Sequence, residues 1–213
     1  MNPVYILAAG AVGAVVGFLA DRLATRWPLH EAGTPGRGLD WRTALLVAGG
    51  AAVLGGLVWR WPELRDLAVL VPFAVALLVL LATDLDQRLL PDLLTLPMIG
   101  VAAIVLVLGW SPLLAGKELA IVSGIAAAIG APLFLFVTDK LLRGALGGGD
   151  LKLAISLGLL CGVTRFFTGF LLASVVFAVV LLILIGLRRL SLRTAVPFGP
   201  VLIGAAFIAM LLP

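Results

Sequence analysis

Four aspartates stand in two short polar segments of an otherwise apolar chain: Asp84, Asp86 and Asp92 in TDLDQRLLPD, and Asp150 in LGGGDLKL. Ionisable groups at membrane depth are costly, so each needs a reason. Two carboxylates that meet and share a proton form a chemical unit. One activates a water molecule while the other donates a hydrogen bond or proton to a carbonyl under attack. Such a pair calls for no metal and no cofactor. The single histidine, His30, and the single cysteine, Cys161, offer no ligand cluster, no intrachain disulfide and no zinc site of paired CxxC motifs.

Each of these residues also has a structural reading. Asp150 suits the N-cap of the helix that follows it, and Asp92, after Pro91, suits a first helical turn. Asp84 ends an apolar run, where a helix C-terminus disfavours negative charge, so structure alone explains it least. The same fields make Asp84 the expected protonated partner and Asp150 the ionised base. Asp86 reads as a solvated loop charge pointing away from Asp84. Gly147, Gly148 and Gly149 read either as a flexible linker or as bare backbone beside which a peptide lies near Asp150. Lys152 and Arg88 read as interfacial anchors or as tuners of the aspartate pair. Pro197, Phe198, Gly199 and Pro200 read as a re-entrant turn.

The aspartates meet only if helices carry them to one face. Of 213 residues 62% are hydrophobic and 12% charged, with a mean hydropathy of +1.22, whereas about a quarter of a soluble chain is charged. Apolar runs fall at 4–20, 43–59, 67–83, 93–110, 118–138, 151–164, 168–187 and 195–212, most of them near the roughly 20 residues a bilayer span needs. The expected fold is therefore an all-α integral membrane bundle of about eight transmembrane helices. The sixth run, interrupted by Gly158, Gly162 and Arg165, reads as a half-span or as continuous with the seventh. One outward and one returning helix separate Asp84 from Asp150, which brings both to the same face.

Charge sets the orientation. No basic residue precedes the first run, and Arg22 and Arg26 follow it, the reverse of a cleaved signal peptide, so a retained anchor with its N-terminus outside is expected. On that assignment 11 of the 15 Lys and Arg residues fall in inside loops, leaving Arg60, Arg65, Lys117 and Arg165 outside. The net charge of +4 is scattered over short loops and forms no basic face for nucleic acid. Residues 1–42 read as an anchor with a short cytoplasmic loop, and 43–213 as the membrane core.

Taken in order, Asp84 to Asp92 with Pro91, Gly147-Gly-Gly149-Asp150-Leu-Lys152-Leu, and Pro197-Phe198-Gly199-Pro200 resemble the three signature blocks of type IV prepilin leader peptidases. The resemblance runs from about residue 43 onward, and the first helix fits it. It implies an intramembrane aspartic endopeptidase of the GxGD kind, with Asp84 and Asp150 as the catalytic pair. The remaining block residues, Pro91, Asp92, Gly147, Gly149, Lys152 and 197–200, would bind substrate or support the motif. The implied substrates are prepilins or pseudopilins in the inner membrane, cut before their hydrophobic helix at the cytoplasmic face, with lipids as the other partners. Many bacterial relatives carry two CxxC pairs and an N-methyltransferase activity in the first inside loop. Here that loop has no cysteine, which places methyl transfer in doubt.

Two other classes compete. A transporter would set carboxylates within the spans and show an internal repeat between halves. A catalytically silent assembly factor for pilus or secretion machinery would need neither aspartate.

Overall fold

In the computed structural model, which describes residues 3–28, 37–114, 116, 118–142, 146–187 and 198–212, seven helices are found among the described residues. They are α1 (Pro3–Ala24), α2 (Trp41–Arg60), α3 (Leu64–Gln87), α4 (Asp92–Val107), α5 (Ala120–Leu142), α6 (Gly148–Gly186) and α7 (Gly199–Leu211). Five of them, α1, α2, α3, α5 and α6, are long and apolar enough to cross a membrane. With its backbone bonds closed inside each helix, such a chain meets the demand of a solvent that supplies no hydrogen bonds. The protein is a multi-pass, all-helical membrane protein.

Small residues let the first two helices touch. A methyl group on Gly17 would collide with the Leu46 carbonyl oxygen, and one on Gly13 with that of Gly50. Backbone contact of this kind replaces the hydrophobic drive that lipid does not provide. Asp40 starts α2: its Oδ1 accepts from the Arg42 and Thr43 amides at 2.9 and 3.3 Å, while Thr43 Oγ1 accepts from the Asp40 amide at 3.4 Å. The reciprocal bonds satisfy donors that a helix start leaves open.

The sixth and seventh expected runs are joined. α6 is 39 residues long, nearly twice what a bilayer needs, and it bends at Gly162, where φ is 68° and ψ is 177°. A side chain there would be strained, and its Cβ would also lie 2.7 Å from Ser123 Oγ. That hydroxyl accepts the Val163 amide at 3.0 Å, so a residue from α5 supports the bend. The first arm packs on α5, where a Gly158 methyl would meet the backbone of Ala127 and Ala128 at 2.6 Å. The second arm packs on α7: Gly169 meets Ala205 and Ala209, and Ala173 meets Gly204.

One core joins the elements, built from Leu70, Phe73 and Leu77 of α3, Leu153, Leu157 and Leu160 of α6, and Leu202, Ile203 and Met210 of α7. α7 lies antiparallel to α3. Its first residue stands at Asp84, and near its end the Met210 carbonyl accepts the Trp61 indole N–H at 2.8 Å, where α2 passes into α3.

Candidate active site

α3 does not stop at Asp84. It continues to Gln87 and closes on Arg88, which takes the left-handed conformation (φ 56°) and donates its amide to the Asp84 carbonyl at 2.9 Å. Asp84 is thus part of the last turn, 5% exposed. Its carboxyl packs on Gly199, where a methyl group would sit 2.6 Å from Oδ2 and 3.0 Å from Oδ1. Oδ2 is buried without a hydrogen-bond partner among the described residues.

Asp150 is the third residue of α6 rather than its N-cap, because the helix begins at Gly148 and Gly147 takes the cap position. Gly148 and Gly149 are therefore helical and not a linker. The Asp150 carboxylate reaches back to accept the Gly147 amide at 3.1 Å through Oδ2. Oδ1 is buried and has no hydrogen-bond partner among the described residues. The residue is 8% exposed.

The two segments carrying these aspartates pack against each other. A methyl group on Gly149 would meet Leu90 Cβ at 2.7 Å and the Leu90 carbonyl at 3.1 Å. Pro91 caps α4 with its carbonyl, which accepts the amides of Leu94 and Thr95 at 3.0 and 3.1 Å. Asp92, first in α4, receives Lys152 Nζ at 2.6 Å, so one ion pair ties the start of α4 to the start of α6. Lys152 is thereby a cross-link and not a free interfacial anchor. The charges of Asp150 and Arg88 reach the Asp84 carboxyl. No Cα of α3 comes within 8 Å of a Cα of α6. α4 and α7 each pack on both α3 and α6. Each of the two carboxyls brings one unsatisfied oxygen, and buried oxygens of that kind demand a partner.

In the third block, Phe198 packs on the Phe170 ring at 6.1 Å, and Gly199 and Pro200 open α7, a position proline favours. These three residues begin a helix instead of making a re-entrant turn. Pro197 lies outside the described residues.

Asp86 corrects the expectation of a solvated loop charge. It is in the last turn of α3, and its Oδ1 accepts Arg37 and Arg42, the latter at 2.9 Å. Arg37 also pairs with Asp21, which is fully buried and receives Arg22 and the Thr43 hydroxyl, the last at 2.8 Å. Gln87 donates to the carbonyls of Ala24 and Trp27 at 2.8 and 3.4 Å. This network binds the end of α3 to α1 and to the segment before α2. The signal for it in the sequence is Asp21, an acid closing an apolar run.

The profile of the type IV leader peptidase family matches residues 71–183, which include both Asp84 and Asp150. The chain is also similar to proteins called prepilin leader peptidase/N-methyltransferase. That of Pseudomonas putida is 38% identical over 168 residues, covering 78% of this chain and 57% of the relative. That of Dickeya chrysanthemi is 32% identical over 178 residues, with coverage of 82% and 61%. That of Aeromonas hydrophila is 31% identical over 191 residues, with coverage of 89% and 59%. The chain thus spans about three fifths of the length of these relatives. No solved structure matches it significantly.

Proposed function

This chain belongs to the type IV leader peptidase family, and from that premise we propose that it is an intramembrane aspartic endopeptidase whose catalytic pair is Asp84 and Asp150. Its substrates on this reading are prepilins or pseudopilins, cut between the basic leader and the hydrophobic helix. The observation that carries the proposal is the convergence of two buried carboxyls at one end of the bundle, each with an oxygen that no donor among the described residues satisfies.

A water held between those oxygens would lose its proton to Asp150 as its oxygen attacks the scissile carbonyl. Asp150 takes the role of base because the Gly147 amide already donates to it and the N-terminus of α6 stands behind it. Asp84 would donate a proton to the carbonyl oxygen, giving a neutral gem-diol. Collapse of the diol breaks the C–N bond, with the proton on Asp150 passing to the leaving nitrogen and a hydroxyl proton of the diol returning to Asp84. The products are the leader's new carboxyl terminus and a free amine on the pilin. Gly147 leaves bare backbone beside Asp150 for a peptide to approach, whereas Leu90 closes off Gly149.

Counting the two arms of α6 separately, we read eight spans in the inner membrane, with the N-terminus outside and the aspartates toward the cytoplasm. The excess of basic residues in the loops on the aspartate side supports that orientation. We also keep the division between an anchor at 1–42 and a core at 43–213. Methyl transfer is not part of the proposal, since the only cysteine, Cys161, is buried in the core. A transporter reading calls for mid-span carboxylates, whereas Asp84 and Asp150 stand in terminal helical turns.

The direct test is incubation of the purified chain in detergent or lipid with a prepilin-like peptide, followed by mass spectrometry. A single cut before the apolar segment supports the reading, and an intact peptide counts against it.

A further inference from the structure

The ion pairs among the described residues, from Arg22 with Asp21 to Lys152 with Asp92, join groups at the Asp84 end of the bundle. The opposite end is arranged differently. There α2 ends at Arg60 and α3 begins at Leu64, and the intervening Trp61 is buried with its indole N–H on the Met210 carbonyl. Two guanidinium groups flank that one indole, Arg60 at 4.7 Å and Arg165 at 6.0 Å from the ring centroid. Arg165 donates through Nη1 to the carbonyls of Ala209 and Leu212 at 3.1 and 2.9 Å, which caps the C-terminus of α7 and fixes the guanidinium. Arg60 Nε is buried and has no hydrogen-bond partner among the described residues.

No carboxylate among the described residues pairs with either arginine. Glu63 and Asp66, the nearest acids in sequence, make no ion pair. Two cations beside one apolar ring repel each other, and the repulsion is strong where water is scarce. A buried N–H left without an acceptor adds to the cost. An anion with several oxygens removes both penalties, and guanidinium forks match phosphate oxygens well. Because α2 and α3 are both membrane spans, their connection lies at the membrane boundary, which is where phospholipid phosphates reside and where tryptophan is enriched.

We propose that Arg60 and Arg165 hold the phosphate of an anionic phospholipid against Trp61, at the membrane face opposite the aspartates. The rest of the lipid then lies along the apolar outer surface of the bundle. This site is independent of the peptidase reading and involves none of its residues.

The test uses the full chain purified in detergent and given phosphatidylglycerol or phosphatidylcholine of the same acyl composition, with retained lipid counted by native mass spectrometry. The wild type should keep one phosphatidylglycerol in preference to phosphatidylcholine. Arg60→Gln should weaken retention by about tenfold, the loss expected for one charge-assisted contact, and Arg60→Lys should restore part of it. Arg60 makes no hydrogen bond to the described protein, so its replacement should leave the size-exclusion profile unchanged. Arg165→Gln serves as a second variant, in which α7 also loses its cap. Equal retention by wild type and Arg60→Gln would overturn the proposal, as would equal retention of the two lipids. Displacement of the lipid by millimolar inorganic phosphate would identify a free anion as the ligand and overturn the lipid assignment.

Discussion

Gly199 touches the carboxyl group of Asp84 so closely that a methyl group in its place would lie 2.6 Å from Oδ2 and 2.7 Å from Cγ. The contact joins the start of α7 to the end of α3 and restrains where that carboxyl points. The atoms in the way belong to the tip of a side chain, so the fold can yield cheaply by turning Asp84 aside. Catalysis has no such freedom. Gly199→Ala should keep the melting temperature nearly unchanged while cleavage falls on the order of 10²-fold, the effect of misplacing a reacting group by about an ångström. Initial rates on a prepilin-like peptide, compared with a thermal melt, separate the two effects.

Asp84→Asn and Asp150→Asn should each reduce cleavage by on the order of 10²- to 10⁴-fold or more, because asparagine keeps the shape but neither takes nor gives the proton. The double variant should be no worse than either single one, since the two act on one water. A monodisperse size-exclusion profile controls for folding. Vigorous cleavage by either single variant would remove the aspartic mechanism.

Asp86→Asn should behave in the opposite way. Its carboxylate binds Arg37 and Arg42, whose side chains are 21% and 28% exposed. Loss of that charge should cost stability on the order of 1–3 kcal/mol, below the range of a fully buried pair. Cleavage should stay within a few fold of wild type. A lowered melting midpoint in detergent with near-normal initial rates is the expected pattern, and an inactive but stable variant would contradict it.

Topology gives an independent check. A cysteine placed at Arg88 in a Cys161→Ala background should resist an impermeant thiol reagent added to intact cells and react after the membrane is opened. A cysteine at Glu63, on the far connection, should react from outside. Reversed labelling would place the aspartates on the other face.

The segments that form the candidate site were legible because charge is scarce in this chain: an acid at the end of an apolar run has few structural excuses. Helix alternation then implied that 84–92 and 147–152 share one end of the bundle, and Leu90 against Gly149 shows them in contact. Asp86 was misread for the same local reason. Its arginine partners lie 49 and 44 positions away, and no periodicity within one run reports a bond of that range. Gly162 was seen as an interruption, but the direction of the chain after it depends on Ser123 and Leu114 from other segments. The role of Gly199 was hidden too, because a glycine is informative only when the group that would collide with its side chain is known.

The contact between Gly199 and Asp84 also imposes an order on biosynthesis. A ribosome completes Asp84 and Asp150 before it adds the glycine against which Asp84 rests, so the nascent chain holds both acids while the wall behind one of them is missing. A polypeptide interrupted anywhere between 151 and 198 would carry both aspartates without the glycine contact that restrains the first. On the peptidase reading, the pair is therefore aimed only once translation has passed residue 199.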